Sequence, residues 1–431
     1  MISERQIIKF WLPLSSTWLM MATEGPLIAA VVARMAHSEV NLAAYGIATS
    51  VAMLIESPVI ALLSTVVALG TNAAAVALLF KFMVRINIVV SAIMLTVCIP
   101  LVFKLAASVM NLPADVAWRV YWGLVCMLAW PAAIGIRRYY QGLLIQAGKT
   151  KCVAIGTVIR LCSMASTAGI LATLNVEGVI VGCCALTVGV LNEAIATWWL
   201  ARTLDPADQS GMLPPLAELT NAHIIRFYAP LALTSVVSFL AAPLLSFFVL
   251  RLPLAVASLA VMPVISSFLF VFRSFGFSYQ EVGIAMLGKH TSAYRMVERV
   301  ARKITVATTL AMAVVVWTPL LEWIFLNVFA LPESLVQMAI WPTRLLTVAP
   351  FTAATYSVAR AVMISYRRTV HVTASMVIEV GTTTAVILVF VGLGNPNGVL
   401  SASLAITAGI VASVAYAVMV SKRIRREWQA P

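Results

Sequence analysis

The chain has 431 residues, of which 62% are hydrophobic and only 10% charged, and its mean hydropathy is +0.99. This composition excludes a water-soluble domain, in which about 25% of the residues are charged. The formal charge of +13 is typical of a polytopic membrane protein whose cytoplasmic loops face anionic lipid, so we expect no nucleic-acid partner.

Runs of apolar residues divide the chain into twelve predicted membrane-spanning helices. Each run is close to the about 20 residues that an α-helix needs to cross a bilayer. The N-terminal stretch MISERQIIKFWLPL carries no small-residue cleavage site, so we expect it to begin the first span and not a removed leader. The polar breaks lie near residues 35–40, 72–86, 105–114, 146–152, 174–178, 203–221, 251–257, 285–303, 328–334, 366–370 and 393–398.

Positive charge is concentrated in alternate loops, which predicts the orientation of the chain. If the N-terminus is inside, the cytoplasmic loops carry most of the lysines and arginines, among them Lys81, Arg85 and Lys303. Lysine and arginine favour the cytoplasmic side of a membrane. The sequence therefore predicts a multi-pass protein of the cell (inner) membrane with both termini in the cytoplasm.

The two halves of the sequence are related by an internal repeat. IIKFWLPL at 7–14 aligns with IIRFYAPL at 224–231, a shift of 217 positions (224 − 7), and a shift of 219 aligns later prolines such as Pro131 and Pro350. We therefore predict an N-terminal six-helix lobe at 1–203, a cytoplasmic linker at 204–220 and a C-terminal six-helix lobe at 221–431. Because six is even, both lobes enter the membrane in the same direction and enclose a central cleft.

Several segments resemble the multidrug and toxin extrusion (MATE) transporters of the MOP flippase superfamily. They are FWLPL at 10–14, AAYGIATSV at 43–51 and YYQGLLIQAGKT at 139–150. The opening FWLPL followed by LAAYGIATS is similar to the progressive ankylosis branch. That resemblance implies two pseudo-twofold-related six-helix bundles and the export of small organic or phosphate-bearing anions. The first span has no aspartate of the kind found in proton-coupled extrusion proteins, which leaves H⁺ and Na⁺ both open as the coupling ion.

Charged residues within the predicted spans are the candidate functional residues, because an ionisable group in the bilayer is costly unless it faces protein, water or a partner. Guanidinium groups bind carboxylate or phosphate in a bidentate fork, which favours an anionic substrate. The predicted substrate-binding residues are Arg137, Arg138, Arg273, Arg344 and Arg360. The predicted ion-coupling residues are Glu24, Glu56 and Glu193. Two alternatives stay open: Arg137 and Arg138 neutralise Glu24 or Glu193, or Glu24 only binds a neighbouring helix.

The repeat register places opposite charges at equivalent positions of the two lobes. Glu56 aligns with Arg273, and we predict that these two side chains face each other across the cleft. Arg160 aligns with Glu379, and for this set we favour a structural role in which each residue packs within its own lobe.

Catalytic and cofactor motifs are weak in this sequence. GLLIQAGKT at 142–150 resembles a phosphate-binding loop, but its glycine spacing differs and it joins two membrane helices. The six cysteines and four histidines show no metal-ligand spacing. We therefore expect no enzyme, no cofactor and no bound metal.

The predicted function is export of a small organic anion by alternating access, coupled to a proton or sodium gradient. The expected partners are the solute, H⁺ or Na⁺ and membrane lipid, and the sequence does not indicate an oligomeric state. Three rival functions are a lipid-linked oligosaccharide flippase, a multidrug cation antiporter and a major facilitator transporter.

Overall fold

The computed structural model of the protein consists of α-helices joined by short connections. It describes residues 3–32, 34–109, 112–174, 176–204, 219–249, 251–289, 293–329, 331–394 and 397–429. Within these ranges there is no β-strand, in agreement with the all-α polytopic fold that the sequence predicts. The predicted linker at 204–220 falls almost entirely outside the described residues, which stop at 204 and resume at 219.

The helices are numbered here in chain order. In the first half they are α1 (Glu4–Val32), α2 (Ser38–Ile60), α3 (Leu62–Leu69), α4 (Ala73–Val97), α5 (Pro100–Val109), α6 (Ala114–Cys126), α7 (Trp130–Gln146), α8 (Thr150–Thr173) and α9 (Gly178–Ala201). In the second half they are α10 (Asn221–Val249), α11 (Ala255–Phe277), α12 (Tyr279–Lys289), α13 (Tyr294–Val316), α14 (Leu320–Trp323) with a π-helical turn at Ile324–Val328, α15 (Glu333–Leu345), α16 (Val348–Ser365), α17 (Val370–Gly392) and α18 (Gly398–Gln429).

By length and apolar composition, the described helices account for up to eleven of the twelve predicted spans. Nine helical stretches are long and apolar enough to cross a membrane. Two bent helix pairs, α13 with α14 and its π-helical turn at 79° and α15 with α16 at 43°, raise the number to eleven if each pair is one span. α1 is not among these stretches, but its 29 residues extend about 43 Å, which is more than the ~30 Å hydrocarbon core of a bilayer.

The sequence repeat gives helices of matched length in the two halves. α1 and α10 have 29 residues each, and α2 and α11 have 23 residues each. His37 precedes α2 with φ 52°, and Leu254 precedes α11 with φ 56°. Residues other than glycine rarely adopt this left-handed backbone, so its recurrence 217 positions later (254 − 37) identifies the two turns as copies of one another.

The helices form two compact units. The N-terminal unit is Met20–Ser235, and the C-terminal unit is Val236–Pro431 together with Met1–Leu19. The first helix of each half, α1 or α10, therefore passes from one unit into the other near its middle.

One helix lies at the centre of each unit, and these two helices carry three of the five predicted substrate-binding arginines: Arg137, Arg138 and Arg360. In the N-terminal unit, α7 contacts α2, α3, α4, α8 and α9. In the C-terminal unit, α16 contacts α11, α12, α13, α17 and α18. Both α7 and α16 begin after a short break in the helical span. Pro131 and Pro350 lie in their first turns, where the missing N–H of proline costs no helical hydrogen bond. Side chains of α7 and α16 are thus held in the interior of their units.

Candidate functional site

Four charged side chains meet inside the N-terminal unit, and we call them the N-terminal ion cluster: Glu24 on α1, Arg137 on α7, Arg160 on α8 and Glu193 on α9. None of the four is more than 6% exposed. Arg137 Nη1 lies 2.7 Å from Glu193 Oε2, and Arg160 Nη1 lies 3.4 Å from the same oxygen. The second terminal nitrogen of Arg160 binds Glu24 Oε2. Arg160 therefore bridges the two carboxylates.

The second carboxylate oxygen of Glu193 is held by neutral side chains that the sequence analysis did not single out. Gln141 Nε2 and Thr157 Oγ1 each donate to Glu193 Oε1 at 3.0 Å. Gln141 is four residues after Arg137, and Thr157 is three residues before Arg160. Helical residues three or four apart share a face, so this spacing is the signal that could have found them.

Glycines bring α8 and α9 close enough for the cluster to form. A Cβ at Gly189 on α9 would lie 3.1 Å from the carbonyl oxygen of Arg160 on α8. A Cβ at Gly156 on α8 would lie 3.5 Å from Cγ of Glu193. Small residues at these positions let the two backbones approach closely, as in other membrane helix pairs.

The third predicted glutamate of the N-terminal unit, Glu56 on α2, lies next to the N-terminal ion cluster. Trp130 Nε1 donates a hydrogen bond to Glu56 Oε2. The Arg160 guanidinium lies 5.9 Å from the centre of the Trp130 ring, and this contact connects Glu56 to the cluster. The charge of Arg138 acts on Glu56 and on Glu24. Three buried arginines thus balance three buried glutamates in this part of the unit.

Stability alone does not explain this arrangement. Desolvation of a buried ion pair offsets most of its Coulomb energy, so apolar side chains would stabilise the unit about as well. Glu24 Oε1 is buried without a hydrogen-bond partner among the residues that the structure describes. A buried carboxylate with an unused oxygen can take up a proton or a cation, which makes the cluster a candidate coupling site.

A second polar group lies in the C-terminal unit, and we call it the C-terminal arginine cluster: Arg273 on α11, Tyr356 and Arg360 on α16, Glu379 on α17 and Ser413 on α18. Ser413 Oγ donates to Glu379 Oε2 at 2.9 Å. The Arg360 guanidinium lies 5.4 Å from the centre of the Tyr356 ring. The charges of Arg273, Arg360 and Glu379 all act on the Tyr356 hydroxyl. With two arginines and one glutamate, the cluster carries a net charge of +1.

The arginines of this cluster keep unused hydrogen-bond donors. The Nε atoms of Arg273 and Arg360 are buried and have no hydrogen-bond partner within the described part of the chain. The Arg273 guanidinium lies 4.7 Å from the centre of the Phe277 ring. Arg273 also lines a cavity of about 120 Å³ with Ser266 and Ser403, several times the ~30 Å³ of one liquid water molecule. The cavity and the free donors fit a small polar group.

The two clusters occupy corresponding positions of the internal repeat. α7 and α16 end 219 positions apart (365 − 146), and α9 and α18 begin 220 positions apart (398 − 178). These two shifts pair Arg137 with Tyr356, Gln141 with Arg360, Arg160 with Glu379, and Glu193 with Ser413. The shift of 217 positions that relates the first helices of the two halves pairs Glu56 with Arg273. The N-terminal set is therefore neutral and the C-terminal set is positive, although one duplicated helix framework positions both.

Other predicted site residues have local partners. Arg344 on α15 lies between two tryptophans, with its guanidinium 5.2 Å and 5.0 Å from the ring centres of the exposed Trp317 and Trp341. Arg160 and Glu379, predicted as a structural set, each have partners within their own unit.

Two further predictions concern contacts and metal sites. Glu56 belongs to the N-terminal unit and Arg273 to the C-terminal unit, and their predicted pairing across a cleft stays a prediction.

In the described ranges, no group of three or more histidine, cysteine, aspartate or glutamate side chains is arranged to hold a metal ion.

Comparison with known proteins gives matches in structure but not in sequence. No protein-family model and no curated protein matches the sequence. An outward-facing multidrug resistance MATE family transporter of the MOP superfamily has a TM-score of 0.80 at 14% identity, over 99% of this chain and 97% of that one.

Two other solved structures are similar over nearly the whole chain. A MOP superfamily transporter from Pyrococcus furiosus has a TM-score of 0.78 at 14% identity, over 99% of this chain and 97% of that chain. The eukaryotic MATE transporter AtDTX14 has a TM-score of 0.75 at 15% identity, over 98% of this chain and 97% of that chain. The TM-scores establish the fold. At identities of 14–15%, the progressive ankylosis branch stays a prediction. The chain has the twelve-helix, two-bundle fold of the MATE transporters of the MOP superfamily.

Proposed function

We propose that the protein is a secondary active transporter that exports a small organic anion from the cytoplasm by alternating access. Its fold is that of MATE transporters over nearly the full length of both chains, and two like bundles suit a cycle that exposes a site to each side of the membrane in turn. In this proposal the protein lies in the cell membrane with both termini in the cytoplasm, as the distribution of lysine and arginine predicts.

The observation that supports an anionic substrate is the surplus of arginine in the C-terminal arginine cluster. The cluster holds two arginines, Arg273 and Arg360, and one acidic residue, Glu379, whose charge acts on Arg273. Each arginine keeps a buried Nε donor without a partner in the described residues, as do Arg137 and Arg160 of the N-terminal unit, so the surplus of positive charge is what distinguishes this cluster. A surplus of arginine over acidic residues is costly in a membrane unless an anion balances it. Carboxylate and phosphate are the groups that a guanidinium binds in a fork.

The arginines of the N-terminal unit support a different role. Arg137 and Arg160 are bound to Glu193 and Glu24, so their charge is already neutralised. We assign coupling to this cluster: when Glu24 takes up H⁺ or Na⁺, its hold on Arg160 weakens. The ion pairs then rearrange, which biases the conformation of the unit.

Among the similar structures, the transporter from Pyrococcus furiosus is described as having a binding pocket of reversed polarity that suggests a different function. Pockets of different polarity therefore occur within this fold. That supports our proposal that local charges such as Arg273 and Arg360 determine which substrate binds, and that the helix framework does not.

The proposal is tested by uptake into proteoliposomes that contain the purified protein. Citrate, pyrophosphate and a lipophilic cation are supplied as competing solutes under an imposed proton or sodium gradient. We expect one of the anions to accumulate and the cation to be ignored. Accumulation of the cation alone would show that the arginines do not select the substrate and that the protein is a cation antiporter.

A further inference from the structure

An apolar groove runs along the outer surface of the N-terminal unit. Its volume is about 600 Å³, within the ~300–1,000 Å³ range of ligand pockets. α4, α7 and α9 form its walls, and most of the lining side chains are apolar. Three rim residues are strongly exposed: Phe80 at 41%, Ile88 at 63% and Ile195 at 57%. In a membrane protein such a rim faces lipid, so the groove opens to the acyl chains around it.

The length of the groove matches one leaflet of a bilayer. On α4 the lining runs from Phe80 to Ser91, and along α7 it runs from Ala129, the residue before the helix begins, to Tyr140. At 1.5 Å per residue, each stretch extends about 16 Å along the helix, close to half of the ~30 Å hydrocarbon core. A single acyl chain that enters at one end would be covered over most of its length.

The polar end of the groove carries a cation and aromatic side chains. Trp198 and Tyr140 line this end, where α9 and α7 approach their C-termini. The guanidinium of the exposed Arg202 lies 3.7 Å from the centre of the Trp198 ring, and its charge also acts on Tyr140. Lys149 Nζ donates to the carbonyl oxygen of Thr203, the next residue, at 3.2 Å. Aromatic rings beside basic residues are typical of the membrane interface.

Positive charge continues along the third wall at the same end. Lys81 and Arg85 are exposed on α4, next to the lining residues Phe80 and Val84. The basic rim at the membrane interface suits the headgroup of an anionic phospholipid, and the apolar groove that leads into the membrane suits one of its acyl chains. Of the fifteen lining residues, only Asn87 and Ser91 place a short polar side chain along the groove, which is little for a soluble ligand of this length. An uncharged lipid would leave the basic rim unused.

We propose that this groove binds one anionic phospholipid, with an acyl chain between α4, α7 and α9 and the phosphate at Arg202. The site lies on the lipid-facing surface of the unit and is independent of the transported solute. A bound lipid would hold α4 against α7 and α9, the two helices that carry Arg137 and Glu193.

Native mass spectrometry of the full-length protein in a neutral detergent tests the headgroup. The protein is mixed with phosphatidylglycerol or with phosphatidylcholine of the same acyl chains, and the retained lipid is counted. We expect the wild type to retain phosphatidylglycerol preferentially. Arg202→Gln should reduce that preference about fivefold, since one basic residue near the headgroup is worth roughly that factor. The matched control Arg302→Gln changes the same charge on the exposed face of α13 and should leave the preference unchanged.

A second pair of variants tests the groove itself and does not depend on charge. Ile195→Trp narrows the groove from its exposed rim and should reduce the retention of both lipids several-fold. Val158→Trp makes the same change at a 47% exposed position of α8 that does not line the groove, and it should have no effect. Equal retention of both lipids by the wild type, equal effects of the two arginine variants, or full retention by Ile195→Trp would each overturn the proposal.

Discussion

Arg137 and Glu193 form an ion pair of 2.7 Å with no more than 2% of either side chain exposed. The corresponding residues of the C-terminal unit are Tyr356 and Ser413, so the second copy of the framework has no equivalent pair. The duplicated helices thus hold a charge-balanced cluster in one unit and a positive cluster in the other. This difference in charge is the basis for the two roles that we propose, ion coupling in the N-terminal unit and anion binding in the C-terminal unit.

The first prediction concerns the stability of the N-terminal unit. Glu193→Ala removes the shared partner of Arg137, Arg160, Gln141 and Thr157. We expect a loss of about 3–5 kcal/mol, the usual cost of leaving a buried charge without its partner. Thermal unfolding in detergent measures it. The double variant Arg137→Met with Glu193→Leu should lose less than Glu193→Ala, and a greater loss would show that the pair itself stabilises the unit.

The second prediction concerns coupling. Glu24→Gln keeps the shape of the side chain but removes the charge that binds Arg160 and the site that takes up H⁺ or Na⁺. Gradient-driven uptake should fall to the level of protein-free liposomes, while the amount of folded protein is unchanged. The control Glu333→Gln alters an exposed carboxylate at the start of α15 and should transport normally. Normal uptake by Glu24→Gln would remove Glu24 from the mechanism.

The third prediction concerns the packing of α4 on α7. Asn87 Nδ2 donates to the carbonyl oxygen of Ala132 at 3.1 Å, and a Cβ at Gly135 would lie 1.8 Å from Asn87 Oδ1. Gly135→Ala must therefore displace Asn87, at a cost of about 1–3 kcal/mol for overpacking. A lowered melting temperature in detergent would show it. Gly46→Ala serves as control, because a Cβ at Gly46 meets nothing within 4 Å, and equal melting of the two variants would refute the proposed contact.

The fourth prediction concerns substrate binding. Gln141 of the N-terminal unit corresponds to Arg360 of the C-terminal unit, so Arg360→Gln installs a side chain that the repeat already uses at this position. Loss of one charge-assisted hydrogen bond is worth about 1.5–3 kcal/mol, so the affinity for the anion should fall roughly tenfold to a hundredfold. Isothermal titration of the purified protein with citrate or pyrophosphate measures it. Arg344→Gln, outside the cluster, should leave the affinity unchanged.

Most of the fold could be predicted from the sequence, because the lengths of the apolar runs indicate the membrane-spanning helices and the internal repeat indicates two similar halves. Apolar runs of sufficient length predict helices wherever they occur, since backbone polar groups in lipid must be satisfied within the helix. The alignment of IIKFWLPL with IIRFYAPL predicts equal first helices, and α1 and α10 do have 29 residues each. Mid-span prolines such as Pro350 predict kinked helices, but the angles of the bends, 79° and 43°, depend on packing between helices and do not follow from the sequence.

The contacts within the site could be predicted only in part. Hydropathy indicates that Arg160 lies in a span, and the repeat relates it to Glu379. Its ion-pair partners are Glu24 and Glu193, which lie 136 and 33 positions away in the chain. These contacts depend on the rotation of α1, α8 and α9 about their axes, which glycines at positions such as Gly189 help to fix. Composition and spacing do not give that rotation.

The most direct test is uptake of radiolabelled citrate and pyrophosphate into proteoliposomes, for the wild type and for Arg273→Gln. Arg273 is chosen because it is the residue of the C-terminal arginine cluster that lines a cavity, and because it keeps a buried, unused Nε donor. We predict gradient-dependent uptake of at least one anion by the wild type, and its loss in Arg273→Gln at unchanged protein content and melting temperature. Undiminished anion uptake by Arg273→Gln would contradict the assignment of anion binding to the C-terminal unit.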